Sequence, residues 1–166
     1  MSRIVAISLV LLSGILILFS SCDKHCSSCS PAQVCAKGTC VCPVPGYEGD
    51  SCSTLMSTKF IGNYIVTESC SNNSGLPPNP TYNISIVQDP QGAQYIDIYN
   101  LGNTGLSIVG VVTNGIDLQI PDQTVGASEF VGQATFNLAY DYMSLQYQLS
   151  ANGVAFNCTN VHCQHQ

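Results

Sequence analysis

The side chains most able to do chemistry in this chain of 166 residues are its ten cysteines. Seven lie between Cys22 and Cys52, and three more follow in the C-terminal part. Cysteines form disulfide bonds in oxidising compartments, bind metal ions as thiolates, or exchange electrons in C-x-x-C pairs. Cys26-Ser27-Ser28-Cys29 has the C-x-x-C spacing, but no strand and helix pattern surrounds it as such a redox site requires. Disulfide bonds and an exported protein are therefore expected.

Six of these cysteines crowd into residues 26–52, a segment too short to bury a core that offsets its chain entropy. Covalent cross-links are the physical remedy, at roughly 2–4 kcal/mol for each disulfide. Six cysteines allow fifteen connectivities, and their spacing alone does not choose among them.

A resemblance to a known family indicates one of these connectivities. Cys35-x4-Cys40-Val41-Cys42, followed by Gly46-Tyr47-Glu48-Gly49 and Cys52, resembles an EGF-like module of the short tenascin or laminin kind. That family pairs its first cysteine with the third, its second with the fourth and its fifth with the sixth. The resemblance therefore implies the bridges Cys26–Cys35, Cys29–Cys40 and Cys42–Cys52. The preceding Asp23-Lys24-His25 lacks the acidic pattern of the calcium-binding subtype, so we expect no calcium here.

The leader before this module has the features of an export signal. Arg3 precedes a predominantly apolar run from Ile4 to Phe19, which is shorter than the roughly twenty residues that span a bilayer. Leu18-Phe19-Ser20-Ser21-Cys22 resembles a bacterial lipobox. This resemblance implies that residues 1–21 are removed as a signal peptide, that Cys22 is lipidated, and that residues 22–25 are a tether. We expect an exported protein whose lipid anchor holds it at the outer membrane or cell surface.

Beyond a short polar linker, residues 53–59, apolar and polar residues alternate with a period of two, the pattern of strands with one buried face. Asn114-Gly115 and Asn152-Gly153 are strong hairpin signals between neighbouring strands. No pattern indicates a helix of three turns. Eight strands are predicted, at residues 60–68, 82–88, 94–101, 106–113, 116–120, 129–138, 143–150 and 154–159.

Short turns throughout predict an antiparallel meander over residues 60–163, and closure into a barrel would remove its exposed edges. The predicted fold class is all-β, with a small disulfide-rich EGF-like module followed by an eight-stranded antiparallel β-barrel. A β-sandwich is the alternative. Phe60-Ile61-Gly62-Asn63-Tyr64 is similar to the G-x-Y opening of lipocalin-like barrels.

The closed barrel makes the first and last strands neighbours. This brings Cys70 and Cys158 within the Cα separation of about 7 Å that a disulfide tolerates, so a Cys70–Cys158 bridge is predicted. Cys163 is expected beyond the last strand, as a spare thiol near a frayed terminus.

The remaining residues give little indication of a metal site or a catalytic site. The spacing of Cys158, His162, Cys163 and His165 matches no standard zinc site, and we expect a solvated tail there. No histidine falls in a predicted strand to act as a base, and no recognisable carboxylate pair is seen among Asp97, Asp117, Glu129 and Asp141. We therefore expect no metal, no cofactor and no enzymatic activity.

Two groups of tyrosines could bind a ligand. Tyr95, Asp97 and Tyr99 share one face of a predicted strand, and Tyr140 and Tyr142 flank Asp141 at a strand end. Rings beside acceptors suit sugar or peptide surfaces, although exposed strand aromatics are common without a ligand. The loop between Ser71 and Thr81 is a further expected contact surface.

The charge balance limits the classes of binding partner that the protein is expected to have. The formal net charge is −6, and the only cations after the signal peptide are Lys24, Lys37 and Lys59, which argues against nucleic acid. We expect the membrane as a partner through the anchor, together with polysaccharide or another surface protein. The arrangement as a whole resembles uncharacterised surface lipoproteins of the Bacteroidota.

The expected function is that of a non-catalytic surface binding or adhesion protein, with the EGF-like segment as a spacer. The alternative is a lipocalin-like carrier of a small apolar ligand, or an inhibitor. Large residues at inward positions favour the first, because an eight-stranded barrel is only just wide enough for its own side chains. These inward positions are Tyr64, Ile84, Ile86, Leu118, Phe130, Phe136, Leu145, Tyr147 and Phe156.

Overall fold

The structure is a computed structural model, and it describes residues 26, 28–71 and 81–166. The export signal, the lipobox with Cys22, the tether and most of the loop between Ser71 and Thr81 lie outside the described residues. In the part that is described, no helix is long and apolar enough to cross a lipid bilayer.

Two small hairpins and three disulfides build the N-terminal module. Strand β1 (Val34–Ala36) pairs with β2 (Thr39–Val41), and β3 (Tyr47–Glu48) pairs with β4 (Thr54–Leu55). The bridges are Cys26–Cys35, Cys29–Cys40 and Cys42–Cys52, the three that the EGF-like resemblance implies. Among the described residues up to Cys52, only Gly46 is buried, so covalent bonds rather than a core stabilise this module.

Eight further strands form a closed antiparallel barrel in which each strand pairs with the next and the last pairs with the first. The predicted all-β class and the eight-stranded barrel are therefore confirmed, and the sandwich is not formed. We call the end with the turns at 126–127 and 152–153 the top, and the opposite end the bottom. The strands are β5 (Gly62–Ser71), β6 (Thr81–Gln88), β7 (Tyr95–Tyr99), β8 (Ser107–Val112), β9 (Asp117–Val125), β10 (Ser128–Asn137), β11 (Tyr142–Ala151) and β12 (Val154–His165).

Strand β9 runs five residues past its predicted end, through Pro121. Its pairing with β8 stops at Gln119, so the missing N–H of Pro121 costs no ladder bond on that side. Beyond the proline, the Gln123 side chain takes the place of the ladder. Its amide accepts from the Val109 N–H at 2.9 Å and donates to the Val109 carbonyl at 2.7 Å.

Strand β12 also runs beyond its predicted end, to His165, and the expected frayed tail is wrong. Asn160, in the left-handed region at φ 56°, marks an irregularity that shifts the register against β5 between Thr159 and His162. After this shift Cys163 lies opposite Met143 on one side and Val66 on the other, and it is fully buried. The irregularity breaks the alternation of apolar and polar residues, so the sequence pattern predicts a strand that ends at residue 159.

Large side chains fill the barrel interior. Eight of the nine predicted inward residues are buried, and Phe156 is partly buried against the same core. Leu101, from a short 3-10 turn (Leu101–Asn103), closes the top. Phe60 closes the bottom, where its carbonyl accepts from the Tyr64 hydroxyl at 2.9 Å and its ring meets Phe136 edge-on.

The fourth disulfide joins the two ends of the meander. Cys70 on β5 lies directly opposite Cys158 on β12, and their Cα atoms are 4.0 Å apart. The predicted Cys70–Cys158 bridge is therefore present at the seam where the barrel closes.

Residues 53–59, predicted as a linker, are structured. They form β4 and a 3-10 helix (Met56–Lys59), and Ser57 within that helix is buried. The module is thus joined to the barrel by hydrogen-bonded structure rather than by a free segment.

Candidate functional site

A carboxylate lies inside the barrel near its top. Glu68 is 5% exposed, and its Oε2 accepts from the hydroxyls of Tyr147 at 2.6 Å and Tyr82 at 2.7 Å. The Tyr82 oxygen in turn accepts from the Gly102 N–H at 2.9 Å. Burial raises the pKa of both tyrosines well above the ordinary value, and the charge of Glu68 raises that of Tyr82 further. The hydroxyls therefore stay protonated as donors, and the network holds the top turn to the barrel wall.

The free thiol of Cys163 is in the same interior. Burial raises its pKa to about 12, with a further contribution from the charge of Glu68. A nucleophilic or redox cysteine needs a thiolate and access to solvent. Cys163 has neither at neutral pH, so it acts as a small apolar core residue.

The described residues contain two sets of three potential metal ligands whose donor atoms lie within 4.8 Å. One is Cys26, Cys29 and Cys40, and the other is Glu68 with Cys70 and Cys158. Every cysteine in both sets belongs to a disulfide, so none offers a thiolate. Neither set has the donors of a metal site.

The C-terminal group of cysteines and histidines is dispersed by strand geometry. His162 is exposed on the outer face, where its ring lies 4.5 Å from that of Tyr142, whereas Cys163 points into the core. His165 approaches Asp141, with Nδ1 to Oδ2 at 3.3 Å. His162 therefore faces away from Cys163, and Cys158 is held in its disulfide with Cys70, so the four residues do not form one set of metal ligands.

The five residues expected to form a ligand surface divide into two groups on opposite sides of the barrel. Tyr95, Asp97 and Tyr99 lie on β7, whereas Tyr140 lies in the turn before β11 and Tyr142 is the first residue of that strand. These strands are four positions apart in either direction around the barrel. The five residues therefore cannot touch one small ligand together.

Each group has its own surroundings. On β7, burial raises the pKa of Asp97, and the nearby charge of Asp89 raises it further. At the bottom of β11, the rings of Tyr140 and Tyr142 stack with centroids 6.4 Å apart, and the Tyr140 side chain is 72% exposed. The Asp117 carboxylate accepts hydrogen bonds from the side chains of Asn114 and Thr135.

A groove that the sequence did not indicate crosses the outer face of β9, β10, β11 and β12. It has a volume of about 370 Å³ and lies over the register shifts in β10 and β11. We call it the amide trough, because five of its ten lining residues carry side-chain amides. Its exposed polar side chains are Gln119, Gln133, Gln146, Gln148, Asn157 and Thr159.

The register of the strands assembles these amides. Gln133 lies opposite Gln119 on one side and Gln146 on the other, and Gln148 lies opposite Asn157. The residues come from four strands, so no single stretch of sequence displays them together. The available signal was the outward run Ser144, Gln146 and Gln148, whose partners depend on register.

Further hollows continue the trough towards the bottom of the barrel. A small one shares Gln133 and Gln146 with the trough, and it shares Thr135 and Ser144 with a larger one of about 410 Å³. Tyr142 and the exposed Leu138 line that last hollow. The outer face thus carries a series of adjoining hollows, of which the last is lined by Tyr142.

No family model, no curated protein and no solved structure matches this chain.

Proposed function

We propose that this chain is a lipid-anchored, non-catalytic binding protein of the cell envelope, held to the membrane through Cys22. The observation that carries the proposal is the filled barrel interior. The described inward positions hold large side chains in mutual contact, which leaves little of the roughly 300 Å³ or more that a small-molecule site needs. A ligand must then bind the outer surface, so this packing disfavours an apolar carrier.

The N-terminal module supports the proposal as a spacer. It is bonded to the 3-10 helix that leads into the barrel, where the Gly46 carbonyl accepts from the Met56 N–H at 2.9 Å. Gly46 also packs closely against Ala93 and Gln94 in the turn between β6 and β7. Lys59 adds an ion pair, with its Nζ 2.6 Å from Oε1 of Glu48. A barrel fixed in this way presents its sides and top away from the anchored end.

Four disulfides are consistent with export, because such bonds persist in oxidising compartments. They do not by themselves distinguish a lipid anchor from free secretion. The lipobox resemblance supplies that part of the proposal.

The test has two parts. Replacing Cys22 with Ser should release the protein from the membrane fraction, whereas retention with residues 1–21 still attached would favour a transmembrane anchor. Detergent-solubilised protein is then screened against a glycan array, envelope proteins and a lipid panel. Binding to glycan or protein is expected. Uptake of a fatty acid into the barrel, without any surface partner, would overturn the proposal.

A further inference from the structure

We infer that the amide trough is the binding site, and that its ligand is an uncharged, hydroxyl-rich polymer, that is, a neutral glycan chain. The inference rests on the proposed function, because it assumes that the protein binds its partner at the barrel surface. It adds the location of the site and the chemical class of the ligand.

The amides of the trough are free to bind. The side chains of Gln119, Gln133, Gln146, Gln148 and Asn157 are exposed, and none makes a hydrogen bond within the described part of the chain. Many amides elsewhere on the surface are occupied. Internal bonds are made by the side chains of Gln33, Gln88, Asn100, Asn114, Gln123, Asn137 and Gln164.

Each free amide offers two donors and a carbonyl acceptor, which match the donor and acceptor character of a sugar hydroxyl. Five such groups on adjoining strands form a repeated pattern rather than a single contact. A repeating polyhydroxylated chain can satisfy several of them at once.

The uncharged lining of the trough and the negative charge of the chain disfavour ionic ligands. No charged side chain lines the trough or the small hollow that continues it. The chain as a whole carries a formal net charge of −6, so a polyanion would be repelled over distances comparable with the Debye length. A cationic ligand finds no carboxylate partner within the trough. The remaining match is a neutral polar ligand.

The shape and composition favour a glycan over a protein partner. At about 3.4 Å per residue, the groove along β10 from Val131 to Asn137 is about 20 Å long. Protein interfaces usually centre on buried aromatic or arginine anchors, and the trough contains neither among its exposed side chains. Tyr142 lies at the lower end of the continuing groove, where its ring packs against those of Tyr140 and His162.

The floor of the trough is rigid. At Gly132 a Cβ atom would lie 2.6 Å from the Gln146 carbonyl oxygen and 2.7 Å from the Tyr147 Cβ, so β10 and β11 approach closely there. The core packs directly beneath. Amides held on such a surface lose little backbone freedom on binding, which favours affinity from modest contacts.

The test uses the full lipidated chain in detergent, with soluble dextran, β-mannan and β-1,3-glucan as neutral probes and alginate as the polyanion. Binding is measured by affinity electrophoresis and calorimetry. The variant Gln133→Ala/Gln146→Ala removes a cross-strand pair of amides. Its control, Asn63→Ala/Gln166→Ala, removes two exposed amides elsewhere. A second trough variant, Gln133→Glu/Gln146→Glu, keeps the shape of the side chains, so it tests the site even if the alanine variant does not fold.

We expect the wild type and the control to bind at least one neutral glycan, with alginate excluded, and both trough variants to bind about tenfold more weakly or worse. Glycan binding that survives both trough variants would reject the trough but leave surface binding intact. Binding to alginate or to an envelope protein alone would reject the neutral glycan. Dimerisation that both trough variants abolish, without glycan binding, would assign the trough to a second copy of the chain.

Discussion

At the residue scale, Glu68 depends on two tyrosine hydroxyls for its hydrogen bonds inside the barrel. A buried carboxylate that loses a donor keeps its desolvation cost, and hydrogen bonds to charged groups contribute more than neutral ones. The network also joins three parts of the barrel top, since it reaches Gly102 through Tyr82. Single tyrosine substitutions are therefore informative here.

We predict that Tyr147→Phe lowers the free energy of unfolding by about 1.5–3 kcal/mol, because it removes a donor to a buried charge and little else. Tyr82→Phe should have a similar effect and also free the Gly102 N–H. Urea denaturation measures the change, with Tyr99→Phe, whose side chain is 45% exposed, as the matched control. Equal stability of Tyr147→Phe and the control would mean that the bond from the Tyr147 hydroxyl to Glu68 does not contribute to stability.

The same tyrosines predict an alkaline transition. The pKa values of Tyr64, Tyr82 and Tyr147 are raised, with burial as the largest cause in each case. Folding then favours the protonated form, so this contribution is complete below the unfolded pKa of about 10 and is lost as pH rises above it. Stability should fall steeply on the alkaline side.

Titration of tyrosinate absorbance checks this expectation. Three of the eight tyrosines should ionise only together with unfolding, and Tyr82→Phe or Tyr147→Phe should each remove one tyrosine from that late step. Ionisation of all eight tyrosines while the near-ultraviolet circular dichroism stays native would contradict the buried network.

At the element scale, the seam between β5 and β12 decides whether the sheet is a barrel or an open meander. The two strands are far apart in sequence, and Cys70 and Cys158 are separated by 88 residues. Closing a loop of this length restricts the unfolded chain strongly, by up to about 4.6 kcal/mol in the chain-entropy model. The disulfide therefore adds to a ladder that already joins the strands.

We predict that Cys70→Ala/Cys158→Ala lowers the free energy of unfolding by about 3–5 kcal/mol while the barrel still forms, because the β5–β12 hydrogen bonds remain. Denaturant unfolding of the oxidised protein measures it. Ser69→Ala/Thr159→Ala changes the neighbouring cross-strand pair, which has no covalent link, and should cost about 1 kcal/mol or less. A loss in the cysteine variant no larger than in this control would show that the bridge adds little to closure.

At the scale of the whole molecule, the contact at Gly46 determines whether the module and the barrel move as one body. Gly46 and Gly49 both have positive φ, at 88° and 83°, so a side chain at either position strains the backbone. Their surroundings differ. A Cβ at Gly46 would lie 2.6 Å from the Gln94 nitrogen, whereas the nearest atom to one at Gly49 is 3.8 Å away.

We predict that Gly46→Ala separates the module from the barrel, whereas Gly49→Ala, which carries the same backbone strain, leaves them together. Small-angle scattering should show a larger maximum dimension for Gly46→Ala only. Hydrogen exchange should show faster exchange at the Met56 amide, which donates to the Gly46 carbonyl. Identical scattering from both variants would mean that this contact does not hold the two parts together.

The features that the sequence determined by itself are those encoded locally. Alternation with a period of two gives the inward side chains of each strand, and Asn-Gly pairs give the turns, because both depend on a few neighbouring residues. The cysteine module follows from dense spacing and a recognisable pattern. The Cys70–Cys158 disulfide could also be predicted from the sequence, since the first and last strands of an eight-stranded meander become antiparallel neighbours once the sheet closes.

The tertiary structure alone decided which residues of different strands are neighbours. Irregular pairing near Gly132 and Asn160 shifts the register, and this aligns Gln133 with Gln119 and buries Cys163. The uninterrupted ladder between β10 and β11 aligns Gln133 with Gln146. Closure also places Tyr95 and Tyr142 on opposite sides. A shift of one residue in a strand exchanges its inner and outer faces. The trough thus depends on pairings between strands, which a single strand's sequence does not contain.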